Sequence, residues 1–277
     1  MLTRKSVRRN ITQTSALVER NIFFEFRFKT VLFTNYFSPF VQILMPLIVF
    51  GAFFNLDQTY KFGYWDASNY LLFMIIAFCV QFIRQMIDNF KQLFLREKFW
   101  KTLQALMVAP INRYVLLFGI IISESILISI PFVAFFIVGL IFFPIPPINL
   151  LFVILTFMCI IIFFGSIGLI VSFLIVTNES YYRIFSLGLN FLFWLSCFSY
   201  PLQIFPEIVQ FFIRLNPIYY FIDIIRLNWL IGLDPVLGLS YLTPIHVLIV
   251  ILFTIFLPII SAYLFNIFFK KYGISGY

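Results

Sequence analysis

The sequence predicts an all-α, polytopic membrane protein with six transmembrane helices. Its 277 residues are 62% hydrophobic and only 11% charged, with a mean hydropathy of +1.04. A soluble domain, in contrast, is typically about 45–50% apolar and about 25% charged. The apolar residues form runs that reach the ~20 residues a helix needs to cross a bilayer. No alternation of period two indicates the strands of a membrane barrel, and the runs are too long for such strands.

Six apolar segments are predicted to cross the membrane as helices, because a helix satisfies its own backbone hydrogen bonds in lipid. They cover residues 31–54, 69–89, 114–143, 148–176, 183–203 and 245–269. We interpret the whole chain, residues 1–277, as a single transmembrane domain. Its parts are a cytoplasmic tail and N-terminal helix (1–30), spans one to five (31–203), an outer segment (204–244), and the last span with a cytoplasmic tail (245–277).

The distribution of lysine and arginine predicts that both termini are cytoplasmic, since basic residues concentrate on the inner side of membrane proteins. In this orientation only Lys61, Arg214 and Arg226, of 19 basic residues, lie in outer segments. Topology and anionic lipid headgroups then account for the net charge of +8, and no nucleic-acid partner is expected. The basic start MLTRKSVRRN is not followed by an uninterrupted apolar core, so no cleaved signal peptide is expected.

The outer segment before the last span is too apolar for a solvated loop, and prolines interrupt it repeatedly. Proline favours the starts and ends of helices over a continuous span. We therefore predict two short re-entrant helices, at 206–214 and 219–230, and keep a seventh full span as the alternative. The residues that mark this re-entrant element are Pro206, Asn216, Pro217 and Arg226.

Glu124 is the one acidic residue that the pattern places well inside a span. An ionisable side chain at that depth costs about 2.5–3.5 kcal/mol to insert and usually marks function or a polar partner. In the sequence ISESIL, Ser123 and Ser125 are expected to solvate it. Glu124 is interpreted either as a polar pin between spans or as a residue of a transport pathway.

The sequence contains none of the motifs of nucleotide-binding or hydrolytic sites, such as GxxxxGK[ST], HExxH or GxSxG. We therefore expect no catalytic residue and no cofactor bound by this chain. Cys79, Cys159 and Cys197 lie in apolar runs without a CxxC or Cys/His cluster, which favours buried thiols over a disulfide or a metal site. His246, at the start of the last run, is interpreted as an interfacial residue.

The segment REKFWKTLQALMVAPINR, between spans two and three, is charged and contains a proline, unlike the runs that flank it. Its apolar residues recur at helical spacing and share one face. These residues are Phe99, Trp100, Leu103, Leu106 and Met107. Such a face suits docking into the groove of a partner protein, and a helix that merely lies on the bilayer is the alternative.

Together with an amphipathic segment before span one and RLNPIYYFIDIIR before the last span, this segment resembles the permease subunit of type-2 ABC exporters, the ABC-2 family. The resemblance covers the whole chain. In the middle segment it is carried by Arg96-Glu97, Thr102-Leu103, Ala109-Pro110 and Arg113. Lys101 and Gln104 stand where the family often has Gly and Glu. Asn216-Pro217 and Arg226 match the element before the final span.

The resemblance implies that residues 99–107 form a short cytoplasmic coupling helix in a groove of a separate ATPase subunit. The residues that it assigns to this contact are Glu97, Phe99, Trp100, Thr102, Leu103, Leu106 and Pro110. Residues 10–30 resemble the family's N-terminal interfacial helix, expected to rest on the inner leaflet and to border the ATPase. One side of that helix carries Ile11, Val18, Ile22 and Phe26, whereas Phe23 lies off it.

The function that the resemblance implies is that of a permease subunit in an ATP-driven exporter of the cell membrane. The separate ATPase would bind ATP and Mg²⁺, and this chain would pair with a second copy or with a related chain among membrane lipids. The expected cargo is amphiphilic: lipid-like, drug-like or a glycan. The candidate pathway residues are Glu124, Tyr181, Tyr182, Asn190 and Tyr200.

Two other functions stay open as alternatives, an ion-coupled secondary carrier and a membrane-embedded enzyme that modifies lipids. A carrier needs intramembrane charges for its coupling ion. An enzyme needs polar or acidic residues that converge at one depth, which Glu124 alone does not supply. Both alternatives are therefore less favoured.

Overall fold

The computed structural model describes residues 4–56, 61–100, 113–177 and 181–273. Apart from one isolated bridge between Phe62 and Trp65, the regular structure of these residues is helical, which confirms the all-α prediction. The described residues form ten α-helices and one 3-10 helix. They are α1 (Arg4–Arg27), α2 (Lys29–Leu56), α3 (Tyr70–Phe99), α4 (Arg113–Phe142), α5 (Pro147–Thr177), α6 (Tyr181–Trp194), the 3-10 helix (Leu202–Ile204), α7 (Glu207–Leu215), α8 (Pro217–Leu233), α9 (Pro235–Tyr241) and α10 (Pro244–Gly273).

Five of the described helices are long and apolar enough to cross a membrane, which confirms a polytopic membrane protein. The candidate spans are Phe33–Phe54, Tyr70–Phe99, Val115–Phe142, Pro147–Ile175 and Pro244–Ile267. The second of them continues past its predicted end at residue 89, because the charged residues that follow are good helix formers. Helix α3 therefore reaches Phe99 without a break.

The predicted fifth span at 183–203 is wrong in its second half. Helix α6 has only 14 residues and ends at Trp194, so it is about 21 Å long at 1.5 Å per residue. A hydrocarbon core of ~30 Å is longer than that. Turns follow, in which Cys197 takes a left-handed conformation with φ 55°.

The outer segment forms three short helices: α7 begins directly after Pro206, and α8 and α9 each begin at a proline that follows a polar residue. The Asn216 side chain accepts a hydrogen bond from Ile218 N at 3.1 Å and caps α8. The Asp234 side chain caps α9 in the same way, by accepting from Val236 and Leu237. Polar caps followed by proline at the first helical position are favourable helix starts. Helices α7 and α8 meet at 94°, so a straight seventh span is not formed.

Helices α3 and α8 form the centre of the molecule, and α2, α4, α5 and α10 surround them. The core is mainly aromatic: the fully buried Trp229 donates through Nε1 to the carbonyl of Phe143 at 3.0 Å. Helices α3 and α5 approach closely at Gly168, where a Cβ atom would lie 2.5 Å from the Phe90 ring. The outer helices leave large apolar surfaces exposed, as is normal for a protein surrounded by lipid.

Helix α1 lies against α4 and not only along a membrane surface. Its buried side consists of Leu17, Asn21 and Glu25, one helical turn apart from each other. The apolar side expected from the sequence faces outward, where Ile11 and Phe26 are exposed. The sequence pattern therefore located the outer side of α1, but it missed the polar side that contacts the protein.

Candidate functional site

Two ion pairs join α1 to the C-terminal end of α3. Arg20 Nη2 lies 2.8 Å from Glu97 Oε1, and Arg96 pairs with Glu25 through Nη2 and Oε1. The Arg96 guanidinium also lies over the ring of Phe24, 4.7 Å from its centroid. Charge-assisted bonds of this kind are stronger than neutral ones, and two of them restrict how α1 can move relative to α3.

The two large aromatic residues at the end of α3 are exposed beside these ion pairs. Phe99 is 66% exposed and Trp100 is 52% exposed, and the Trp100 ring packs edge-on against Phe24 at 5.0 Å. A cavity of about 190 Å³ opens between α1 and α3 at this point. It is lined by Arg20, Asn21, Phe24, Glu25, Leu93, Arg96, Glu97 and Trp100.

The structure places the predicted coupling residues only in part. Glu97 and Phe99 belong to the last turn of α3. The first residue of the coupling helix predicted at 99–107 is therefore the last residue of α3. Trp100 follows as its C-terminal residue and donates its N–H to the carbonyl of Arg96 at 3.0 Å. Thr102, Leu103, Leu106 and Pro110 lie outside the described residues.

The re-entrant element is held by buried polar side chains. Arg226 is 2% exposed and donates to the carbonyls of Cys197 at 2.9 Å and Phe198 at 2.5 Å. Asn216 donates to the carbonyl of Leu192 at 2.6 Å. These bonds tie α8 and its cap to the chain that follows α6. Pro206 precedes the first residue of α7, and Pro217 is the first residue of α8.

The family model of ABC-2 type transporters matches residues 12–230, which include both the α1–α3 site and the re-entrant element. The chain belongs to the ABC-2 type transporter family. A comparison with curated proteins finds no match. Membership makes this ABC-2 chain a membrane transport domain without an ATPase site of its own, and it implies an ABC ATPase subunit as partner.

The four predicted pathway residues near α6 of this ABC-2 permease do not form one cluster. Tyr181 and Tyr182 are exposed at the start of α6, and the Tyr182 ring lies 5.5 Å from Lys91 Nζ. Asn190 is exposed and accepts a hydrogen bond from Arg84. Tyr200 lies apart from them and packs against Phe50, with 5.8 Å between ring centroids.

Glu124 is 1% exposed and accepts a hydrogen bond from Asn89 Nδ2 on α3 at 2.8 Å. The expectation that the adjacent serines solvate it is wrong, because both hydroxyls donate to carbonyls of their own helix. The Ser123 hydroxyl also accepts a bond from Asn21 of α1 at 3.1 Å. Asn21 of α1 therefore bonds to Ser123 of α4, and the next residue of α4, Glu124, bonds to Asn89 of α3. These contacts form a polar connection between the three helices, in addition to the two ion pairs.

A test of this connection is the pair Glu124→Leu and Glu124→Gln. Leucine leaves the half-buried Asn89 amide without its acceptor, which we expect to lower the free energy of unfolding by about 1–3 kcal/mol. Glutamine keeps an acceptor oxygen and is expected to retain near wild-type stability. Thermal unfolding in detergent measures both, and a leucine variant as stable as the glutamine variant would contradict the role of Glu124 as a pin.

A buried polar cluster on α8 and α10 was missed by sequence reasoning. Asp223 accepts hydrogen bonds from Tyr64 Oη at 2.6 Å and from Tyr219 Oη at 3.3 Å, and it lies 3.1 Å from His246 Nε2. Burial beside the Asp223 carboxylate raises the pKa of the Tyr64 hydroxyl well above its usual value, so Tyr64 stays a donor. The side chain of His246, interpreted from the sequence as an interfacial residue, is buried in the protein and also contacts Thr243.

The signal for this cluster was present in RLNPIYYFIDIIR. Asp223 stands in an apolar stretch three residues before Arg226, a spacing that places both on one side of a helix. An acidic residue in such surroundings needs polar partners. Tyr219 lies one turn earlier on α8, but Tyr64 and His246 are 159 and 23 residues away, and no local pattern identifies these two.

Proposed function

We propose that this chain is the permease of an ATP-driven exporter in the cell membrane, with both termini cytoplasmic. Two copies, or this chain and a related one, would pair with two ABC ATPase subunits that bind ATP and Mg²⁺. ATP binding would close the ATPases, and the permease would convert that movement into outward transfer of an amphiphilic cargo. The ATPases can shift the permease only through a difference in affinity between its two states.

The observation that carries the proposal is the arrangement at the inner end of α3. Phe99 and Trp100 are exposed at the end of a 30-residue helix that forms the centre of the fold. Exposed aromatic residues are the kind of anchor that dominates protein–protein contacts. A force applied at Trp100 would reach the core along α3 itself, because a continuous helix transmits displacement along its axis.

The ion pairs between α1 and α3 extend this contact surface. Since Arg20 and Glu25 hold α1 to Glu97 and Arg96, the two helices would present a joint surface to the ATPase. Phe24 contributes to it by packing against both Trp100 and Arg96. The predicted coupling helix would complete the surface and α1 would form its second side.

Co-purification with a candidate ABC ATPase tests the proposal. The variant Trp100→Glu with Leu103→Glu is expected to lose the ATPase, because two charges enter the apolar anchor, while it still purifies as a folded membrane protein. The control is Trp194→Glu, which changes an exposed tryptophan at the end of α6, outside the α1–α3 contact, and is expected to retain the ATPase. Equal recovery of the ATPase with both variants, or none with the wild type, would contradict the coupling assignment.

A further inference from the structure

An arginine lies within a candidate membrane span of α3. Arg84 is near the middle of the candidate span Tyr70–Phe99, although the charge pattern had grouped it with the cytoplasmic basic residues. Its guanidinium donates to Asn190 Oδ1 and lies 3.5 Å from Gln42 Oε1. It also lies over the Phe193 ring, 4.5 Å from the centroid. All these partners are neutral.

The charge of Arg84 is not balanced by a bound carboxylate. In the described part of the chain, no carboxylate oxygen lies within ion-pair distance of its guanidinium. Asp88, one helical turn away, is paired with Lys91. Asp88 also acts electrostatically on Arg84, but one carboxylate faces two cations, so Arg84, Asp88 and Lys91 together keep a net positive charge. A cation in that position is costly, and it usually marks a substrate or ion pathway.

The residues around Arg84 indicate that this surface does not face lipid. Gln42 on α2 and Asn190 on α6 are both exposed at the same depth as Arg84. The Gln42 amide donates to Ser38 Oγ at 3.3 Å and accepts from Gln81 Nε2 and from Arg84, and the Asn190 oxygen accepts from Arg84. Polar and ionisable side chains within spans usually face the bundle interior or a water-filled cavity. Exposed amides on neighbouring helices are therefore expected to border water, a cargo headgroup or a second protein surface.

We propose that Arg84, Asn190 and Gln42 form a binding site for the phosphate group of an amphiphilic cargo. The proposal rests on the proposed function and deepens it, because it assigns the cargo a negative charge. The guanidinium offers a planar set of donors that matches phosphate oxygens. Only part of that set is used, by Asn190 and Gln42. The Asn190 amide nitrogen has no hydrogen-bond partner among the described side chains and supplies a further donor.

Binding to the detergent-purified permease alone tests the site, so the result does not depend on the ATPase or on transport. The probes are 1-oleoyl-lysophosphatidic acid, monooleoylglycerol, which lacks only the phosphate, and glycerol phosphate, which lacks only the acyl chain. Isothermal titration or native mass spectrometry measures each Kd. We expect lysophosphatidic acid to bind at least about tenfold more tightly than the other two, as one charge-assisted hydrogen bond requires.

Arg84→Gln is expected to remove the preference for the phosphate-bearing probe, and Arg84→Lys to keep part of it. The decisive variant is Asn190→Asp, which leaves Arg84 in place and neutralises it with an ion pair. It should lose lysophosphatidic acid binding at undiminished thermal stability. Arg183→Gln removes an exposed cation from α6, the helix that carries Asn190. This variant should bind lysophosphatidic acid like the wild type.

Three results would overturn the proposal. The first is an equal Kd for lysophosphatidic acid and monooleoylglycerol in the wild type. The second is an unchanged phosphate preference in Arg84→Gln or in Asn190→Asp. The third is a loss of preference in Arg183→Gln as large as in Arg84→Gln, which would indicate attraction to any basic surface. If binding follows the expected pattern but no ATPase co-purifies, the site stands and the exporter function fails.

Discussion

Arg226→Met is expected to lower the free energy of unfolding by about 2–4 kcal/mol, because two buried carbonyl groups lose their donor. Those carbonyls belong to Cys197 and Phe198, in the chain that follows the short helix α6. The guanidinium also covers the ring of Phe73, with 3.7 Å to the centroid. Methionine has a similar length and can fill part of the space, so the loss reflects hydrogen bonds and charge more than volume.

Thermal unfolding of the detergent-purified protein measures this effect. The matched control is Arg214→Met at the exposed end of α7, expected to change stability by less than about 0.5 kcal/mol. Removing the Arg226 charge also removes a favourable electrostatic interaction with the buried Asp223 carboxylate, whose hydrogen-bond partners are Tyr64, Tyr219 and His246. Equal melting temperatures for Arg226→Met and Arg214→Met would show that the re-entrant element does not depend on Arg226.

Charge reversal at the α1–α3 contact is expected to uncouple ATP hydrolysis from the permease. Glu25→Arg places two cations side by side, and Arg96→Glu places two carboxylates side by side, in a contact where the Glu25 side chain is 11% exposed. An allosteric coupling energy is typically about 1–3 kcal/mol, or about 5–150-fold. We expect each single variant to reduce permease-dependent ATP hydrolysis of the reconstituted complex by a factor in that range.

The double variant Glu25→Arg with Arg96→Glu restores opposite charges and is expected to recover most of the activity, as a double-mutant cycle requires of a direct pair. Glu19→Arg reverses an exposed charge on the same helix and serves as the control for net charge. An inactive double variant, with all proteins folded, would show that the residues act separately and not through their ion pair.

The parts of this fold that could be predicted from the sequence are those that depend on local properties. Apolar runs identified the long helices, because only a helix satisfies its backbone in lipid. The prolines of the outer segment marked its breaks, and the observed helices at Glu207–Leu215 and Pro217–Leu233 lie close to the predicted positions. The exact ends were less predictable. Helix α3 passes its predicted end, and α6 stops early where Cys197 turns the chain.

The candidate site was only partly predictable for a different reason. Glu97, Trp100 and Arg226 were identified through the resemblance to ABC-2 permeases, but their partners were not. Glu97 pairs with Arg20, which is 77 residues away in sequence, and Arg226 binds carbonyls 28 and 29 residues away. A pairing over such separations depends on how the helices pack against each other. It cannot be predicted from the residue pattern within one helix.

The sequence by itself determined that this protein is helical, membrane-embedded and an ABC-2 type permease, since hydropathy, proline positions and motif order are properties of the chain. The tertiary structure alone decided which polar groups are neutralised. It paired Glu124 with Asn89 and Asp223 with Tyr64, and it left Arg84 beside neutral amides of two other helices. The physical reason is that lipid makes every unpaired polar group costly, so the choice of partner depends on distances that only helix packing sets.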